Sequence, residues 1–110
     1  MIPITLRQLR YFDALVRHGH FGRAAEACAV SQPALSMQIK ELEDTLGGVL
    51  LERSARKLAL TKLGEDLAQR VRDILHSVDE LGDFARVLRD GKQLAEAKAK
   101  STVKRVTTAA

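Results

Sequence analysis

Seven apolar residues, Leu67, Val71, Ile74, Val78, Leu81, Ala85 and Leu88, follow one another at spacings of 4, 3, 4, 3, 4 and 3. That alternation is a heptad seam held for three heptads, and it commits residues 63–90 to one long helix with one apolar edge. Thr61 is placed to cap this helix, and Asp90-Gly91 to stop it. A seam of this kind has to be covered. The 62 preceding residues offer little free apolar surface, so the predicted cover is a second copy of the same helix.

Those preceding residues read as three shorter helices and a hairpin. Thr5-Leu6-Arg7-Gln8 has the form of a capping box, and Leu6, Leu9, Phe12, Leu15 and Val16 follow at helical spacing until His18-Gly19-His20 breaks the pattern. Phe21, Ala24, Ala25 and Cys28 predict a short second helix whose small alanines let another helix cross closely. Ser31 is a good N-cap for a third helix. Behind that cap Pro33 falls in the first turn, where its missing N–H breaks no intrahelical bond. Leu35, Ile39, Leu42 and Leu46 then line one side, and Gly47-Gly48 ends the helix. Leu50–Arg53 and Leu58–Thr61 flank Ser54-Ala55-Arg56-Lys57 and read as a small β-hairpin with a basic tip. The fold class is therefore mainly α. A winged helix-turn-helix occupies residues 1–62, with the helix-turn-helix at about 21–40 and the wing at about 50–61. A linker or dimerisation helix covers 63–90. Residues 91–110 form a basic tail without apolar periodicity at its end, expected to be disordered.

Charge follows the same division. Residues 1–62 hold 9 Lys/Arg against 6 Asp/Glu, residues 63–90 hold 4 against 7, and residues 91–110 hold 5 against 1. The basic ends suit a nucleic-acid partner. A single cysteine, Cys28, excludes an intrachain disulfide and favours a reducing compartment. No apolar run reaches membrane-spanning length and no signal-peptide pattern opens the chain, so a cytoplasmic location with no membrane partner is expected. No nucleophile–base pair, metal cluster or phosphate loop is present, so the reading excludes an enzyme and predicts no cofactor and no metal.

The third helix carries the main candidate site. At 100° per residue, Pro33, Met37, Lys40 and Asp44 lie opposite Leu35, with Ala34 and Ser36 flanking. A solvated face would be filled with Glu and Lys. This one stays uncharged until Lys40, which suits insertion into a major groove. Gln32 and Gln38 suit adenine or phosphate. Ala34, Pro33 and Met37 suit a thymine methyl. Ser31, Ser36 and Lys40 suit phosphates. On the wing, Arg53, Arg56 and Lys57 fit a minor groove or phosphates, or, for Arg53, a bridge from wing to helix. Arg23 suits a phosphate or plain solvent. His18 and His20 read as turn-packing residues, and Cys28 as a small core residue.

FGRAAEACAVSQPALSMQIKELE (21–43), LGGVLLER (46–53) and LTKLG (60–64) together resemble the N-terminal domain of LysR-type transcriptional regulators, over roughly residues 4–90. HGHFGRAA (18–25) and LLER are most similar to the peroxide-responsive OxyR branch. The resemblance implies a winged helix-turn-helix that dimerises through its linker helix and binds a pseudo-palindromic operator in double-stranded DNA. It adds RNA polymerase as a further partner. Two features depart from the family. Relatives continue into an effector-sensing domain, which residues 92–110 do not resemble, so peroxide sensing is not carried over. Met37 stands where relatives often have Arg or Gly. An alternative is a truncated regulator that pairs with full-length relatives and interferes with them.

Overall fold

A computed structural model describes residues 3–53 and 58–91. The basic tip residues 54–57, with Arg56 and Lys57, and the tail 92–110 lie outside the described residues. The elements are α1 (Leu6–His18), α2 (Phe21–Ala27), α3 (Gln32–Leu46), β1 (Leu51–Arg53), β2 (Leu58–Leu60) and α4 (Lys62–Asp90). The order is that of a winged helix-turn-helix followed by a long helix. Two compact units divide at residue 75: the first covers Met1–Leu75 and the second begins at His76.

Local chemistry sets each boundary. The Thr5 hydroxyl accepts the Gln8 N–H while the Gln8 side chain accepts the Thr5 N–H, a complete capping box at the start of α1. α1 ends at Gly19, which adopts φ +64°, a left-handed turn where glycine avoids the Cβ penalty. His20 caps α2 by accepting the Arg23 N–H on Nδ1. Ser31 caps α3, its Oγ accepting the Ala34 N–H at 3.2 Å with Pro33 in the first turn. Between α2 and α3 sits Ala29 at φ +56°, a left-handed residue whose Cβ costs roughly 1–2 kcal/mol.

The core of the first unit is built where α1 meets both α2 and α3 and α2 meets α3. Phe12, Leu15, Leu35, Ile39, Leu42 and Leu50 are its fully buried large side chains, each contributing about 1.5–3 kcal/mol of transfer free energy. Ala24 and Ala25 are buried too, so the small residues of α2 do sit in the packed interior. Val71 and Leu75 join the same cluster, which carries the first unit past the start of α4. Leu75 lies off the heptad seam and is buried by this packing.

The wing is an antiparallel pair with Leu51 opposite Leu60, Glu52 opposite Ala59 and Arg53 opposite Leu58. It is tied down at its base. The Glu43 carboxylate accepts the Leu50 N–H at 2.7 Å, a charge-assisted bond, while the Glu43 carbonyl accepts from Gly47 and Gly48. Thr61 Oγ1 donates to the Val49 carbonyl at 2.6 Å and accepts the Gly64 N–H at 3.0 Å. Thr61→Val keeps the shape and removes both bonds, so the melting midpoint should fall. A cap is worth about 1 kcal/mol, or roughly 4–8 °C for a domain of this size. A midpoint unchanged in a circular-dichroism melt would show that the cap contributes nothing.

In the second unit α4 continues to Asp90 with polar side chains meeting one helical turn apart: Glu80 Oε1 lies 3.7 Å from His76 Nε2, and Asp83 pairs with Arg86. Leu81 and Leu88 are 67% and 45% exposed. No helix among the described residues is long and apolar enough to cross a membrane.

Candidate nucleic-acid interface

α3 divides as its periodicity demands. Leu35, Ile39 and Leu42 are buried, and Gln32, Pro33, Ala34, Met37 and Lys40 are exposed. Ser36 and Gln38 are half-buried at the margins of that face. Met37, a flexible apolar side chain, stands 61% exposed in the middle of it. Leaving a thioether in water costs transfer free energy without any return inside the chain, so the exposed face is unexplained by folding. The same end of the helix is its positive pole, and its first turn carries no acidic residue.

The surroundings hold this face in position. A methyl group on Gly22 would stand 2.9 Å from the His20 ring and 3.7 Å from Gln32 Oε1. Gly22 therefore leaves the room in which the start of α2, the His20 cap and the first residue of α3 converge. Arg23, on the first turn of α2, is exposed. Gln38 is not a free reader: its Oε1 accepts from Gln8 Nε2 at 3.4 Å, across from α1. On the wing, the Arg53 guanidinium lies 5.4 Å from the centre of the Phe21 ring. This cation–π contact bridges β1 and α2, the structural alternative open to Arg53 in the sequence, while the residue stays exposed.

Two contributors escaped the sequence. Gln8 is recognisable as the N3 residue of a capping box, but nothing local announces its contact with Gln38, 30 residues away. Glu43 looks like a solvated helix residue and instead anchors the backbone that enters the wing. Cys28 is half-buried and free. Burial raises its thiol pKa, Arg17 opposes and Asp13 adds to the rise, so it stays protonated and weakly nucleophilic at neutral pH. Among the described residues no group of three or more His, Cys, Asp or Glu side chains is placed to hold a metal ion.

Residues 6–65 match the profile of the bacterial regulatory helix-turn-helix proteins of the lysR family, more than half of the chain. The chain belongs to the LysR family. Among its LysR relatives, the DNA-binding transcriptional dual regulator OxyR of Escherichia coli K12 is 48% identical over 82 residues, 74% of this chain and 27% of that protein. The regulator IlvR of Caulobacter vibrioides is 46% identical over 89 residues, 81% of this chain and 30% of that one. This chain thus spans under a third of the length of the curated relatives it matches. A full-length OxyR from Pseudomonas aeruginosa superposes with a TM-score of 0.75 at 40% identity, covering 82% of this chain and 30% of that one. The BenM DNA-binding domain, solved in complex with catB site 1 DNA, superposes with a TM-score of 0.77 at 37% identity, covering 81% of this chain and all of that one. The OxyR of Escherichia coli and IlvR are transcriptional regulators, and over the matched part the fold of the two solved structures is the mainly helical one described above.

Proposed function

We propose that this LysR-family chain is a sequence-specific double-stranded DNA-binding regulator of transcription that acts as a dimer on a pseudo-palindromic operator. The observation that carries this reading is the exposed, uncharged N-terminal face of α3 on a helix-turn-helix scaffold. Gln32, Pro33, Ala34 and Met37 meet base edges in the major groove, with Ser31, Ser36 and Lys40 on phosphates. Arg23 adds a phosphate contact. Arg53, with Arg56 and Lys57 from the wing tip, reaches the minor groove or its phosphates. A chromosomal ligand carries with it a cytoplasmic location, and the output is read at RNA polymerase.

Support for the dimer comes from apolar surface left in water. Ile74, Leu81 and Leu88, one per heptad, are 45%, 67% and 45% exposed. Within the first unit, Ile4 and Ile74 also edge an apolar cleft floored by Leu9, Phe12 and Leu42. A second seam covers such residues by knobs-into-holes packing.

Selection from random duplexes supplies the operator, and two variants then separate the roles. Gln32→Ala should weaken the selected site by about 1–3 kcal/mol, roughly 5- to 150-fold, and leave random DNA unchanged. Lys40→Ala should weaken both and flatten the salt dependence by about one unit of slope. An equal loss on operator and random DNA for Gln32→Ala removes the base-reading role.

A further inference from the structure

Gln8 is only 4% exposed, the buried polar side chain of the described core, and chemistry orients its amide. A backbone N–H only donates, and that of Thr5 donates to Gln8 Oε1 at 3.2 Å. The oxygen of the amide is thereby assigned, and Nε2 takes the other branch. Nε2 donates to Gln38 Oε1, which assigns the second amide in turn. The Gln38 oxygen faces α1 and its amine takes the outward branch. No side-chain polar atom is buried without a partner among the described residues, so that amine is at the surface. The direction of one peptide group at Thr5 thus passes through two glutamines and sets the polarity of a side chain on α3.

Resting on the DNA-binding reading above, we propose that Gln8 is a positioning residue for recognition: it holds Gln38 amine-outward, as a hydrogen-bond donor to an acceptor on the duplex. A free glutamine pairs with adenine through both ends of its amide. Gln38 leads with its donor, toward a guanine O6 or N7, a thymine O4 or a phosphate oxygen. Cytosine offers only a donor in the major groove and is disfavoured beside it.

Gln8→Glu separates this role from helix capping. A carboxylate still accepts the Thr5 N–H, so the capping box survives. It has no hydrogen to give Gln38, whose amide must turn its amine toward α1 and its oxygen outward. Wild type, Gln8→Glu, Gln38→Ala and the double variant are taken through duplex selection and binding at mildly alkaline pH. Gln8→Glu and Gln38→Ala should each weaken the wild-type site about 3- to 10-fold, the range of one hydrogen bond. Gln8→Glu should add nothing once Gln38 is alanine. If the acceptor is a base, Gln8→Glu also selects a different base at one position per half-site. If it is a phosphate, the loss is the same on every sequence. The relay is overturned if Gln8→Glu costs as much without Gln38 as with it, which would be simple charge repulsion. It is equally overturned if either single variant binds as wild type does. Nuclear magnetic resonance tests it without a variant: the Gln38 side-chain amide should show a contact to the Gln8 amide and shift when duplex is added, and a Gln38 amide that ignores DNA refutes it. A wild-type chain that enriches no duplex overturns the DNA-binding reading itself, an outcome distinct from the others.

Discussion

Gly64→Ala should lower the stability of the first unit by about 3 kcal/mol, the upper end of the range for overpacking. The corresponding fall in melting midpoint is on the order of 15 °C. Helix propensity alone predicts the opposite sign, because alanine is favoured over glycine inside a helix by about 1 kcal/mol. Packing decides. A Cβ at this position would stand 2.2 Å from the Leu50 carbonyl oxygen and 3.1 Å from its carbon. Those are backbone atoms, and they have no rotamer by which to retreat. Leu50 is itself fully buried, its N–H is held by Glu43 and its carbonyl by the Thr61 N–H. The start of α4 therefore runs directly against the backbone that leads into the wing, and only a residue without a side chain fits. A thermal melt measures the effect. A midpoint within a few degrees of wild type would show that the two segments are not in contact.

On the proposed dimer reading, Leu81→Asp should do the reverse, leaving the fold of the first unit intact and abolishing dimerisation. Leu81 is 67% exposed in the chain taken alone, so the substitution costs a single chain only the poorer helix propensity of aspartate, roughly half a kcal/mol. In a paired seam the same position buries an unpaired carboxylate in each chain, which no partner compensates. Sedimentation at micromolar concentration should then find monomers. Operator affinity should fall at least about a hundredfold, because one half-site, with base contacts worth about 1–3 kcal/mol each, is lost. Random DNA should be bound more nearly as before. A variant that remains dimeric with wild-type operator affinity would mean that this edge of α4 is not the dimer contact.

Much of the architecture was legible because it is local. Capping residues, left-handed glycines and apolar spacing act within one or two helical turns: Thr5 and Ser31 begin helices, and Gly19 and Gly47 end them, where their chemistry requires. Pro33 belongs with them: behind a Ser31 cap, a residue that would break a helix interior opens one. The apolar and exposed sides of α3 were legible too, since the period of 3.6 assigns them without knowledge of the neighbours. Ala29 was not, because a non-glycine residue at positive φ is imposed by the packing of the elements on either side of it. The burial of Leu75, which lies off the heptad seam, was not legible for a related reason. Periodicity identifies an apolar edge but cannot tell which end of it a neighbouring core will claim.

By itself, then, the sequence determined the element order, the helix ends, the buried side of α3, and the Met37-bearing face that folding leaves unexplained. Only the tertiary structure decided that Glu43 anchors the wing, that Arg53 rests on Phe21, that Gly64 admits no side chain, and that Gln8 reaches Gln38. Each of the latter joins residues 7 to 32 positions apart in the chain. Hydrogen bonds and steric contacts act over a few ångströms, and which distant residues come that close is settled by how the helices pack, not by the spacing of residues along any one of them.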